Sequence, residues 1–215
     1  MNNSNKISKK CLLLLSGGID SPIAAYLMQK KGYELVALHF YNKHIGDVNT
    51  IDKCKQLCQK LNISKLIAIP FDQQQAELVR KCEHKYYYIL QRRLMWRIAE
   101  KVAEHEHAQS LITGDNIAQV ASQTLSNMTT IQNAVKIPIL RPLLCNDKQE
   151  TIDLAKQIDT YELSSGPEIC CLLGPKHPAT FSNIQTIEEE EMKVDVAKLV
   201  AESVEMSETF TTSAD

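Results

Sequence analysis

The chain has 215 residues, of which 44% are hydrophobic and 23% charged, and a net charge of −2. That length suits one medium α/β domain with a real core, or one domain plus an appendage. The near-neutral balance excludes a chain that is basic throughout and holds nucleic acid by charge alone. No apolar run approaches the roughly 20 residues of a spanning helix. Residues 1–10 are polar and lack the apolar stretch of a secretory leader, so the sequence reads as cytoplasmic. The seven cysteines are odd in number and scattered through expected strands and helices, which suits thiols better than a disulfide framework.

Residues 11–15 form a short apolar run bounded by Ser16-Gly17-Gly18, and read as a buried strand. Residues 19–31 follow with helical periodicity, placing Ile23, Ala24, Leu27 and Met28 on one face, and Gly32 is a plausible stop. A second strand is expected over 34–40, a helix over 47–61 and a third strand over 65–69. One long helical region is expected over 75–107, then a strand over 110–113, a helix over 117–125, a strand over 137–140 and a helix over 147–158. Strands alternating with helices predict an α/β, doubly wound, mainly parallel sheet of five strands. From Ser164 the pattern breaks into an irregular loop with Gly166, Pro167, Gly174 and Pro175, which carries Cys170 and Cys171. The division expected is a domain over 1–180 and an acidic tail over 181–215, read as one amphipathic helix with a frayed end.

In a doubly wound sheet, ligands sit beyond the carboxyl ends of the strands. That rule points to 16–21, to His39 and Phe40, and to Gly114 and Asp115, each directly after an expected strand. The first of these, Ser16-Gly17-Gly18-Ile19-Asp20-Ser21, joins strand to helix. Two glycines allow a sharp turn and close approach, and the free N–H groups at the helix start suit an anion. Asp20 repels a bare phosphate, but makes sense if a divalent cation bridges the two. The motif lacks the Gly-Lys-Ser/Thr of a Walker loop. A turn with Asp and Ser as helix caps is the plainer alternative.

The segment SGGIDSP resembles the PP-loop of ATP pyrophosphatases. Four longer segments resemble the 4-thiouridine synthase (tRNA sulfurtransferase) family, in that family's order: LLLLSGGIDSPIAAYLM, RRLMWRIAEKVAE, LITGDNIAQVASQTLSN and ILRPLLCNDKQETIDLAKQIDTYE. Together the likeness covers about residues 10–180. It implies a PP-loop fold, ATP with Mg²⁺ at Asp20, and adenylation of an acceptor carbonyl, uridine in tRNA, followed by sulfur transfer. By the same resemblance, Leu14, Leu15, Ser16, Gly17, Gly18, Asp20, Ser21, His39, Phe40, Arg92, Arg93, Gly114 and Gln123 bind the nucleotide. His39 and Phe40 lie beside the adenine through their backbone. Either of the two arginines pairs with phosphate or belongs to a solvated basic face. Asp115 stands where a glutamate is common in the family.

The resemblance also makes Asp20 and Cys170 the catalytic candidates, Cys170 as the sulfur-transfer thiol in the segment PEICC. An exposed, partly ionised thiol in a Gly/Pro-rich loop fits that role, and a buried small hydrophobe is the alternative. Cys54 and Cys58, four apart on an expected helix, read as core. The implied partners are a persulfide donor, a cysteine desulfurase or rhodanese-type protein, and a second copy of the chain. Full-length members carry a THUMP RNA-binding region before the PP-loop domain, and some a rhodanese domain after it. Neither is matched here, so tRNA or another acceptor is expected from a separate RNA-binding protein. The basic and aromatic stretch 80–101 could touch RNA directly, or be core on one face and solvated on the other. Two rival functions remain at this stage, a PP-loop ligase on a non-RNA substrate and a non-catalytic nucleotide-binding subunit.

Overall fold

A computed structural model describes residues 9–43, 49–117, 119–165 and 173–212. The strands are β1 (Lys9–Leu14), β2 (Tyr33–Tyr41), β3 (Lys65–Pro70), β4 (Ser110–Ile112), β5 (Ile139–Leu140) and β6 (Glu208–Thr211). The helices are α1 (Asp20–Lys30), α2 (Asn49–Lys60), α3 (Asp72–Lys81), α4 (Tyr87–His105), α5 (Leu125–Gln132), α6 (Lys148–Gln157), α7 (Tyr161–Ser164), α8 (Ile184–Glu191) and α9 (Val196–Glu205). None of these helices is long and apolar enough to cross a membrane.

The strands form one sheet in the order β5-β4-β1-β2-β3-β6. The first five are parallel to their neighbours, and β6 runs antiparallel to β3, with Lys65 opposite Thr211 and Ala68 opposite Glu208. Strand alternation sorts the side chains into two cores. Leu12, Val36, Leu38 and Ile69 face Leu90, Leu94, Trp96 and Ile98 of α4, with Ile187 and Leu199 completing that layer. Cys11, Leu13, Ala37 and Leu66 face Ile23, Ala24 and Met28 of α1, and Cys54, Leu57 and Cys58 of α2. Strands β1 to β4 are covered on both sides, which is why their sequences read as apolar runs. The chain leaves β1 toward β2 and β3 on one side, and returns to β4 and β5 on the other. The β1–β4 boundary is therefore the topological switch point, where such sheets open a crevice.

Four expectations change. The sheet has six strands rather than five, because the last residues add β6. The helix expected over 75–107 is interrupted: Cys82 is extended, and residues His84–Tyr86 make a 3-10 turn before α4. At the break, the Glu83 N–H donates to the Glu190 carboxylate of α8 at 2.8 Å, a tertiary partner that replaces a helical one. The helix expected over 117–125 is shifted. Only Ala121–Gln123 make a 3-10 turn, and α5 starts after Thr124, whose hydroxyl accepts from Asn127 N–H. The acidic tail is two helices and a strand instead of one helix. Asn183 caps α8 and Asp195 caps α9. Its apolar residues Ile187, Val194 and Leu199 belong to the same core cluster as Trp96.

Candidate functional site

Beyond the carboxyl ends of β1, β2 and β4 lies a cavity of about 650 Å³. Its floor is Leu14 of β1 and Leu15 directly after it, with Ser16, Gly18, Asp20 and Ser21 of the following turn. Leu38 and Phe40 line it from β2, Arg92 and Trp96 from α4, and Gly114, Asp115 and Gln123 from the chain after β4.

The turn is held by its own serines. Ser16 N–H donates to Ser21 Oγ at 3.1 Å, the two hydroxyls are 3.2 Å apart, and Gly18 N–H donates to Ser16 Oγ at 3.2 Å. Gly17 has φ +84°, which only glycine adopts without strain. Pro22 stands in the first turn of α1, where its missing N–H costs no helical bond. No side chain caps α1, so its leading N–H groups are available to an anion.

Gly114, which lines the cavity, also has a use within the fold. A Cβ there would stand 2.7 Å from the Asp20 carbonyl carbon and 2.8 Å from Ser21 N. The glycine lets the end of β4 pass against the backbone that opens α1, and so locks the turn to the sheet.

Asp20 is partly exposed and pairs with Lys148 Nζ, at 3.2 and 3.5 Å to its two oxygens. Lys148 opens α6, whose cap Asp147 accepts from Gln149 N–H. Asp115, 6% exposed, is ion-paired with Arg92, lies 3.5 Å from Arg141 Nε, and accepts from Gln123 Nε2 at 3.4 Å. Arg141 also stacks over Trp96 at 5.6 Å. Burial lowers the Arg141 pKa from the ordinary guanidinium value, with Asp115 opposing the shift. Sequence alone does not single out Lys148 or Arg141. Lys148 is 128 residues from Asp20, and only α1–α6 packing brings them together.

Of the expected nucleotide contacts, Leu14, Leu15, Ser16, Gly18, Asp20, Ser21, Phe40, Arg92, Gly114 and Gln123 line the cavity. Three do not. Gly17 points its open side at Lys53 and Cys54. The His39 side chain is buried with Nδ1 2.8 Å from the Leu15 carbonyl, where it braces the end of β1. Arg93 is turned away: it donates to both oxygens of Glu191 at 2.8 and 2.7 Å, and to the Thr130 carbonyl at 2.5 Å. A phosphate role for Arg93 is therefore replaced by a structural one, because its guanidinium is buried and all three of its nitrogens donate to α8 and α5. Cys170 and Cys171 lie outside the described residues. Cys54 and Cys58 are fully buried. Among the described residues, no three His, Cys, Asp or Glu side chains cluster as a metal site.

The family model described as "Thiamine biosynthesis protein (ThiI)" matches residues 6–196. The chain belongs to the ThiI family. Curated ThiI-like relatives include a probable tRNA sulfurtransferase of Moorella thermoacetica, 41% identical over 95% of this chain and 54% of its own length. Another, from Brevibacillus brevis, is 42% identical over 94% of this chain and 52% of its own. The chain thus spans about half the length of these relatives. A solved 4-thiouridine synthetase in complex with RNA and with bound ATP superposes with a TM-score of 0.90, at 36% identity, over 94% of this chain and 55% of that one. The NMN synthetase of Francisella tularensis shares the fold alone, at 18% identity and a TM-score of 0.57 over 94% of this chain and 86% of its own.

Proposed function

We propose that this chain binds ATP in the cavity beyond β1 and adenylates the carbonyl oxygen of an acceptor, uridine in tRNA, for replacement by sulfur. The observation that carries the reading is a serine-stitched, uncapped Gly-Gly turn at the switch point, facing Arg92 across a cavity of nucleotide size, in a chain of this family. The relative solved with RNA and ATP supports both the nucleotide and the acceptor class.

The triphosphate lies on Ser16, Gly18 and Ser21, where N–H dipoles and the Arg92 fork meet its charge. Leu14, Leu15 and Phe40 flank the nucleoside, and Gln123 offers its amide. One carboxylate beside phosphates is the donor set that Mg²⁺ usually takes, and the partly exposed Asp20 supplies it. The metal would add charge stabilisation at the phosphates. Lys148, now on Asp20, is freed to face the phosphates when that carboxylate is taken. The acceptor oxygen attacks the α-phosphorus and pyrophosphate leaves. Terminal persulfide sulfur then attacks the activated carbon, breaking its bond to oxygen and releasing AMP. The Cys170 thiolate either receives that persulfide sulfur beforehand, in which case a second thiolate attacks the Cys170 sulfur to release the product, or itself attacks the donor's inner sulfur afterwards; both routes leave a disulfide for a thiol reductant. Fixed donors around the α-phosphorus meet the main catalytic demand, which is charge developing on phosphate oxygens. We also infer a cytoplasmic enzyme fed by a persulfide-carrying partner, with tRNA presented by an RNA-binding region.

The test is pyrophosphate release from ATP in the presence of unmodified tRNA, with an RNA-binding partner supplied. Asp20→Ala should abolish release while leaving the melting curve in place, and Cys170→Ser should release pyrophosphate but incorporate no sulfur. Full turnover by Asp20→Ala would remove the catalytic assignment.

A further inference from the structure

The turn, Arg92 and Asp115 occupy one end of the cavity. At the other end, between β2 and α3, the wall is apolar: Leu38, Phe40 and Phe71, whose aromatic rings meet edge to face at 5.2 Å. Into this wall α3 places Gln75, 4% exposed. Its carboxamide oxygen is buried and has no hydrogen-bond partner among the described residues. Gln123 is the other cavity-lining residue with such an oxygen, but its amide nitrogen is already given to Asp115 at the phosphate end. A buried amide oxygen left unpaired is destabilising, so it marks where a donor arrives.

The ring-shaped, apolar surroundings call for a flat heterocycle, and the lone carboxamide decides which edge it presents. Adenine offers a 6-amino donor beside the N7 acceptor, a pair that glutamine meets with two hydrogen bonds. Guanine offers two acceptors on that edge, and one of the two bonds is lost. We propose that Gln75 is the base-reading residue: its oxygen accepts from the 6-amino group of adenine and its NH₂ donates to N7. The backbone at Phe40 is then left for the opposite edge of the ring. The inference rests on the ATP reading of the cavity and adds a specificity-determining side chain to it.

The test compares ATP with 7-deaza-ATP, which lacks only the N7 acceptor, by calorimetric titration of the full chain. The wild type should hold ATP about fivefold or more tighter than 7-deaza-ATP, the worth of one buried hydrogen bond. Gln75→Met keeps the side-chain volume and removes both bonds, so it should bind the two nucleotides alike. Equal wild-type affinity for the two, which needs no variant, overturns the proposal. An ATP preference that persists undiminished in Gln75→Met does the same. Failure of the wild type to bind either nucleotide removes the ATP reading and this proposal together, whereas tight binding that ignores N7 removes the proposal alone.

Discussion

Arg92 and Arg93 are neighbours in sequence with opposite uses, and Arg93→Met separates them. The Arg93 guanidinium is 1% exposed and makes a two-pronged pair with Glu191, which Arg97 also contacts at 2.7 Å. Removing one partner of a buried pair costs about 3–5 kcal/mol, because the remaining charge is stranded. Arg97 stays on Glu191, which places the loss near the lower end, about 3 kcal/mol. For a domain of this size, each kcal/mol shifts Tm by about 2–4 °C, so Arg93→Met should melt about 6–12 °C lower. Adding Glu191→Met removes the stranded carboxylate and should restore part of that loss. Thermal unfolding by circular dichroism, with ATP titration below the transition, reads both properties. The expected result is lowered Tm with unchanged ATP affinity for Arg93→Met, and lowered ATP affinity for Arg92→Met. If Arg93→Met melts like the wild type and fails to bind ATP, its guanidinium is a phosphate ligand and the assignment is wrong.

Gly114→Ala drives a Cβ into backbone that no rotamer change can clear, with a cost of about 1–3 kcal/mol. Tm and ATP affinity should fall together, and an unaltered variant would refute the close-approach argument. Burial favours protonation of Glu106, but the hydrogen bonds from Lys65 at 2.5 Å and Lys10 at 3.1 Å outweigh it and hold the carboxyl below its ordinary value. Its stabilisation is therefore complete above the unfolded carboxylate pKa of about 4.3, and is lost as pH falls through the lower folded value. Glu106→Gln should be less stable at neutral pH and lose less on acidification, so an unchanged acid limb in urea unfolding would contradict this. Burial pushes the Cys58 thiol up to about 12, while Cys145 is exposed. Brief iodoacetamide treatment of the native chain near pH 8, read by peptide mass mapping, should modify Cys145 and spare Cys54 and Cys58. Labelling of Cys58 at the rate of Cys145 would show that its burial is overstated.

The parts legible in the sequence are those written locally. An apolar run, two glycines and an amphipathic stretch define β1, the turn and α1 within twenty residues, and alternation of such units fixes the parallel sheet. What stayed hidden depends on distant partners. Nothing near Arg93 tells it from Arg92, since the deciding residue, Glu191, is 98 positions away. The break before α4 is set by Glu190 in the same way. Lys148 meets Asp20 only after α6 packs on α1, and Gly114 shows its purpose only once Asp20 lies against it. The last strand, ETFT, is too short to declare itself without β3 beside it.

β6 has a further consequence for how the molecule behaves in a crowded solution. Without it, β3 would present a bare row of N–H and C=O groups along the flank of the sheet, a template for sticking to other chains. The opposite flank ends in β5, only two residues long, which offers little for another strand to zip onto. Both borders are thus blunted by brevity, since β6, now the edge in place of the longer β3, has four residues and β5 two. Trimming the protein before residue 208 should cause clumping during refolding even where the cavity itself is untouched.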